Sequence, residues 1–488
     1  EDYPDKPTVW DECIKLLNEF ELYDDSDRLW DGAIERFPEI PILHYNRGLA
    51  YSGQDRTEEA IRNIRRALCL NPAYAKGMNG LSLTYIAVED VDNAIFYAER
   101  GLHVGFGQDV LYLNLGVYYR ARRRYGDSIR ASLRAIALTD EPFEKAAAQF
   151  NVGMIFLCLG ELDAGFKGYM HRWATKNFPS PKRNFKQKIW DGPVTHPGAH
   201  LLTYMEQGLG DEVMFSWYIP MARKDVQSLT VDCDARMIPI FERSFPDTKF
   251  VKRSHKGDPA TKDPKITHKI PIGHIPYYYS VDTKAYIKTV PAEQRARLPV
   301  RNDGYLIPEP TLVEKWRRYF SETHAGKKCI GVSWRSRIRN RQRNLQYLEV
   351  EELAGVIPRG TVVVNLQYAT DDEEIEIWRQ AADKHGFDFD PLDGVDLTND
   401  LDDIFAILKT IDYAVTPLLS LAWMSGAVGC PTLVNRTAWD LAIWQSFGTD
   451  FVPWQPSLRL FFRTPVEPWT GPLGRINETL IELVERDS

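Results

Sequence analysis

Cysteine is sparse and never paired in this chain. Cys13, Cys69, Cys158, Cys233, Cys329 and Cys430 stand singly along 488 residues, with no C-x-x-C among them. That pattern excludes a zinc ribbon or a disulfide framework and fits reduced thiols in a cytoplasmic protein. Long apolar runs are missing too: none reaches the roughly 18 residues that a membrane-crossing helix needs, so no membrane span is expected. The first residues show no signal peptide. The chain opens on Glu1 rather than Met, which points to residues upstream. An excess of positive charge is missing as well: 60 Lys and Arg stand against 68 Asp and Glu, and a net charge of −8 gives no basic field for a phosphate backbone, which sets nucleic acid aside as a partner. No group of residues has metal-ligand spacing, so neither a metal nor a bound cofactor is expected.

What the chain does have is a ruler. Tyr51, Tyr85 and Tyr119 stand 34 residues apart, and at the same period fall Ala60, Ala94 and Ser128. Ala33, Ala67 and Ala135 hold a further position, with Gly101 in it once, and Pro38 and Pro72 close two units. A fixed period with small residues at helix crossings and an aromatic knob marks stacked helical hairpins. The segment "YNRGLAYSGQDRTEEAIRNIRRALCLNP" resembles the tetratricopeptide repeat in its Gly, Tyr, Ala, Ala and Pro positions. Gly153 and Phe156 begin another unit after a 37-residue step, and Leu17 to Pro38 reads as a degenerate first repeat. Such solenoids present a concave surface, here read as a groove for a partner protein, with a rigid spacer as the plainer alternative.

The pattern changes after Trp173. Residues 174–198 are rich in Pro, Lys and Asn and read as a linker or wrapping segment. Beyond them short apolar runs alternate with helical patterns in two series, the first over 199–310 and the second, starting at "KKCIGVSW", over 311–488 with a C-terminal helix. The expected fold class is therefore α plus α/β: a helical solenoid over 1–173, followed by two Rossmann-like lobes. Ligands of open parallel sheets bind outside the carboxyl ends of the strands, so the strand-to-helix loops are the places to look.

Four of these loops carry candidate residues. In "EQGLGD", Gly208 and Gly210 let the backbone turn, Gln207 lies on the rim, and Asp211 falls at the helix start, either as a cap or as a general base. In "SWRSRIRNRQRN", Trp334 is followed by five arginines at alternate positions, of which Arg335, Arg341 and Arg343 are the candidates for a diphosphate, the others reading as a solvated loop. "NLQY" with Gln367, and "DLTNDLDD" with Asn399 and Asp400, suit a base or ribose, although Asn399 or Asp400 also serves as a helix cap. Thr416 to Ser420 opens a small-residue helix whose N-terminus offers N–H groups to an anion. His274 is a lone histidine in a loop and carries no weight alone.

Taken in order, "EQGLGD", "IGVSWRS…RN", "VVNLQY", "DLTNDLDD" and "GAVGCPTLV" resemble the GT-B glycosyltransferases related to bacterial heptosyltransferases, in the branch fused to tetratricopeptide repeats. The resemblance implies an acceptor site on the first lobe and a nucleotide-sugar on the second, with metal-independent transfer. Asp211 matches the catalytic aspartate of the G-x-G-D turn. Arg343 falls near the basic phosphate position, and Thr416 to Ser420 near the diphosphate helix. The chain departs from the family at that helix: where heptosyltransferases carry Asp-Thr and, four residues on, His, it has Leu418, Leu419 and Trp423. A heptose donor does not follow. The expectation is an inverting transferase acting on a hydroxyl, with a Ser or Thr of a partner such as flagellin or another surface protein as acceptor. The alternative is a non-catalytic scaffold built on a degenerate transferase pair. Trp439, Trp444, Trp454, Phe461 and Phe462 read as packing, and the terminal helix stands where GT-B proteins often return a helix to the first lobe, which its position here permits.

Overall fold

The 34-residue ruler resolves into pairs of helices in the computed structural model, which describes residues 7–20, 22–105, 107–176, 178–183, 185–254, 263–290, 298–337, 344–437, 445–464 and 467–486. The pairs are α1 (Pro7–Glu19) with α2 (Tyr23–Arg36), α3 (Pro41–Gly53) with α4 (Thr57–Leu70), α5 (Ala75–Ile86) with α6 (Val91–Val104), and α7 (Gln108–Ala121) with α8 (Tyr125–Leu138). Ala60, Ala94 and Ser128, one period apart, have no exposed surface. Close packing at these points leaves no room for larger side chains. The turn inside each pair is equally periodic: Asp55, Glu89 and Arg123 take left-handed backbone, with φ of 61°, 61° and 56°. The tyrosines of the ruler double as anchors. Arg56 lies over the Tyr51 ring at 4.1 Å and Arg124 over Tyr119 at 4.5 Å, while Arg65 donates to the Tyr85 hydroxyl at 2.6 Å.

A further pair, α9 (Pro142–Cys158) and α10 (Leu162–Tyr169), follows. The chain divides into two compact units, Glu1–Val152 with Ala174–Lys176, and Gly153–Trp173 with Asn177–Ser488. The division between the units falls at Gly153, inside α9, so the end of this last pair, which the sequence spacing counts with the repeats up to residue 173, packs within the second unit. The reason is aromatic: Phe166 packs edge-on against Tyr218, and Tyr169 against Phe215, within the second unit.

That unit contains two sheets. The first takes β1 (Lys188–Ile189), β2 (His200–Tyr204), β3 (Ser228–Cys233), β4 (Lys249–Lys252) and β5 (His268–Pro271) in the order β1-β5-β2-β3-β4, all parallel. Its helices are α11 (Leu209–Ser216), α12 (Ile219–Lys224), α13 (Ile238–Ser244), α14 (Ile275–Tyr278) and α15 (Ser280–Thr289). Residues 178–183 and 185–198 follow this sheet: they supply β1, bury Phe185 and Trp190, and pair Arg183 with Asp232 at 2.5 and 2.7 Å.

The second sheet joins β6 (Cys329–Val332), β7 (Val362–Asn365), β8 (Asp388–Asp390), β9 (Tyr413–Pro417), β10 (Thr432–Thr437), β11 (Phe451–Val452) and β12 (Gln455–Arg463) in the order β11-β12-β10-β9-β6-β7-β8. All are parallel except β11, which runs against β12. Its helices are α16 (Pro310–Thr323), α17 (Val350–Ala354), α18 (Asp372–His385), α19 (Leu401–Thr410), α20 (Ser420–Ala427) and α21 (Thr470–Arg486). Strands β6, β7 and β9 are buried along their whole length, as parallel strands covered on both faces must be. The terminal helix α21 does not return to the first lobe. Its apolar stripe of Leu473, Ile476, Leu480 and Leu483 joins the second-lobe core with Ile330, Val415 and Leu433, because that stripe matches a sheet face needing cover. Among the described residues no helix is long and apolar enough to cross a membrane.

Candidate active site

Strand order doubles back once in each sheet. From β2 the first sheet grows through β3 to β4, then returns to β5 on the other side of β2; from β6 the second grows through β7 to β8, then returns to β9. A reversal of this kind opens a crevice at the carboxyl ends of the two diverging strands. The first crevice therefore lies between residues 205–211 and 272–274, the second between 333–337 and 416–420.

In the first crevice Gln207 is left-handed (φ 54°), its N–H donating to Ser180 Oγ at 2.8 Å, and Gly208 is the N-cap of α11. Asp211 follows in the first helical turn. Burial, then the negative charge of Glu206, push its carboxyl from an ordinary 3.8 up to about 7, against the opposing pull of the Gly208 N–H. Glu206 is held in turn by Arg172, Nε to Oε2 at 2.9 Å and Nη2 to Oε1, with side chains 1% and 2% exposed. The Gly273 N–H donates to the same carboxylate at 2.9 Å, and a Cβ on Gly273 would lie 2.7 Å from Arg172 Nη2, so no side chain fits there. His274 is driven down to about 2 by burial first and Arg172 second, which leaves its ring neutral. Glu212, also raised to about 7 by burial, faces away toward Arg253 and the Asp234 N–H.

The second crevice uses its side chains differently. Arg335 is clamped by Glu374, Nε to Oε1 at 2.7 Å and Nη2 to Oε2, and also donates to the Ala369 carbonyl at 3.0 Å. Trp334 is buried and packs on Trp378 with ring centroids 5.5 Å apart, so it lies beneath the crevice and not within it. Gln367 is buried as well: its Oε1 accepts from Ser333 Oγ, Trp334 N and Arg335 N at 3.1, 3.1 and 3.0 Å, stapling the end of β6 to β7. Thr416 is fully buried on β9, its hydroxyl donating to the Pro417 carbonyl at 3.0 Å. Ser420 begins α20 and is half-buried. Arg341 and Arg343 lie outside the described residues, as do Trp439 and Trp444.

Beside this crevice, at the ends of β7 and β8, is a cavity of about 330 Å³ lined by Asn365, Gln367 and residues 391–398 among others. Ala369 and Leu392, on its two sides, are left-handed (φ 54° and 56°). Asn399 sits just past it, its N–H and side-chain amide bound to Asp396 at 3.0 and 2.8 Å, and Asp400 is the N-cap residue of α19. Arg236 of the first lobe reaches over to donate to the Thr398 carbonyl at 2.7 Å.

The two lobes meet helix start to helix start. A Cβ on Gly210 would come within 2.9 Å of Trp423 Cδ1 and 3.3 Å of the Ser420 Cα, so the glycine turn of α11 seats directly on the opening of α20. Tyr305, between the lobes in sequence, donates from its hydroxyl to the Val213 carbonyl at 2.6 Å and accepts from Gln455 at 2.8 Å, tying α11 to β12. Sequence reading passed over Arg172, which the repeat period had assigned to the solenoid, and Arg236. Neither carries a local motif. Among the described residues no three His, Cys, Asp or Glu side chains are grouped to hold a metal ion.

No protein-family model matches the chain. Over 437 residues it is 28% identical to Protein FlbA of Caulobacter vibrioides, spanning 87% of this chain and 70% of that protein. Over 72 residues it is 32% identical to TPR repeat-containing thioredoxin TTL4 of Arabidopsis thaliana, 15% of this chain and 11% of that one. Among solved structures, YrrB, described as a TPR protein with an unusual peptide-binding site, is 23% identical with a TM-score of 0.26, covering 29% of this chain and 72% of its own. The chain is thus similar to FlbA along most of its length and to the other two over a minor share.

Proposed function

We propose that the protein is a glycosyltransferase that moves a sugar from a nucleotide diphosphate to a hydroxyl, with Asp211 accepting the acceptor's proton. The observation that carries this reading is the seating of the α11 glycine turn, which Asp211 directly follows, on the start of α20. A carboxyl poised to titrate near neutrality is what a general base requires, and a helix start against that turn suits a leaving diphosphate. The cavity at the ends of β7 and β8 would take the nucleoside, and the helical repeats would hold a protein bearing the acceptor Ser or Thr.

A thermal-shift series against UDP-, GDP-, ADP-, CMP- and dTDP-sugars tests the donor half. A ligand at about a hundred times its Kd adds about 2.7 kcal/mol and raises the melting temperature. With the donor in hand, Asp211→Asn is expected to abolish transfer and keep donor affinity; unchanged turnover would remove Asp211 from the chemistry. A second reading, a partner-binding scaffold without catalysis, draws on Trp423 in place of the family's histidine and on Arg335 being occupied by Glu374. It requires that none of the nucleotide-sugars shifts the melting temperature at millimolar concentration.

A further inference from the structure

A buried ion pair is an inefficient way to fill a core, since apolar residues of like volume often hold a fold as well or better. The pair Arg172–Glu206 therefore calls for a reason of its own, and its neighbours supply one. We propose that Arg172 is a positioning residue for Asp211: by clamping Glu206 it fixes the turn that aims Asp211 and balances the charge which that carboxyl faces. The inference rests on the reading of Asp211 as the base.

The clamp is built from several directions. Besides its two bonds to Glu206, the Arg172 guanidinium donates to the Tyr169 carbonyl at 3.1 Å and lies over the rings of Tyr169 at 4.4 Å and Phe178 at 5.6 Å. Glu206 directly precedes the left-handed Gln207 and the helix cap Gly208, so holding its carboxylate holds the start of α11. The groups packed around Asp211 are Glu206 from the end of β2, Arg172 from the turn after α10, and Tyr169 from α10, whose phenol burial keeps protonated. Glu212 on the same helix is engaged by Arg253, His274 beside Arg172 is neutral, and the residues of α20 that meet the neighbouring Gly210, Ser420 and Trp423, are uncharged. Arg172 is the cation of this set. A fragment cut at residue 173, where the repeat spacing ends, would lose it.

The test is a carboxyl-carbon NMR titration of the full chain with labelled aspartate, Asp211→Asn identifying the resonance. Glu206→Gln is expected to lower the Asp211 midpoint by about one pH unit, and Arg172→Met to raise it by about as much. If Arg172→Met fails to fold, the double variant Arg172→Met/Glu206→Gln, which leaves no lone buried charge, is expected to titrate about one pH unit above Glu206→Gln, since only the cation differs between those two. A purely structural clamp would lower the melting temperature and leave every midpoint at the parent value; that result overturns the proposal. The titration needs no donor or acceptor, so its failure is distinguishable from failure of the transferase reading.

Discussion

The two crevices share a topology and differ in what their side chains do. In the first, charged groups are held in tension: Asp211 is half-buried beside Glu206, and its carboxyl is displaced upward to about 7. In the second, the eye-catching polar residues are satisfied. Arg335 closes on Glu374, Gln367 staples two strands, and Thr416 bonds within its own strand end. What the second crevice offers a ligand is backbone, a helix start and a cavity. Chemistry that needs a proton acceptor belongs with the strained side, and binding that needs shape and dipoles belongs with the relaxed one.

Opposite signs of mutational effect would sharpen this contrast, and equal signs would break it. Asp211 has a folded pKa above its ordinary value, so the folded chain favours the protonated form and loses stability as pH rises from about 4 through about 7. Asn at this position cannot ionise. Asp211→Asn should therefore match the parent near pH 4 and exceed it above pH 7, by on the order of a few kcal/mol, since each pKa unit is about 1.4 kcal/mol; melting at the two pH values checks it. Arg335→Met should do the reverse and destabilise by about 2 kcal/mol, because it takes the charged donors from the Glu374 carboxylate and leaves it the Trp334 Nε1–H at 3.3 Å; a neutral result would free Arg335 for a ligand. Gly210→Ala forces a methyl toward Trp423 and should lose about 1–2 kcal/mol, recovered in part by Trp423→Leu if the two helix starts seat as described. Asp371→Ala removes the carboxylate that caps α18 through the Glu374 N–H at 2.9 Å and should lose about 1 kcal/mol in urea melts.

Much of this was legible in the residues, for reasons that separate the two crevices again. The repeat period and the alternation of apolar runs reported the hairpins and both sheets, because burial imposes those periods directly. "EQGLGD" announced the first crevice since a tight turn leaves glycines behind. Arg172 was hidden: its partner Glu206 is close only through the fold, and the repeat spacing runs past Gly153 without a sign that the chain there packs within the second unit. Residue type could not tell that Trp334 packs beneath the second crevice, or that Gln367, which lines the cavity, also staples β6 to β7. The α21 stripe was visible, but which sheet face it would cover was not.

The pairing of β6 with β9 has a bearing on how the chain is made. Ile330 finds Tyr413 as its neighbour, so one flank of the central strand stays open while the whole of β7, α18, β8 and α19 leaves the ribosome. The helical pairs, whose partners are adjacent in sequence, are complete long before this. At about 5–20 residues per second, synthesis leaves that edge bare for several seconds, and Cys329, Ile330 and Val332 are apolar. A pause or a truncation between residues 333 and 413 would therefore be the moment when this protein is most prone to aggregate.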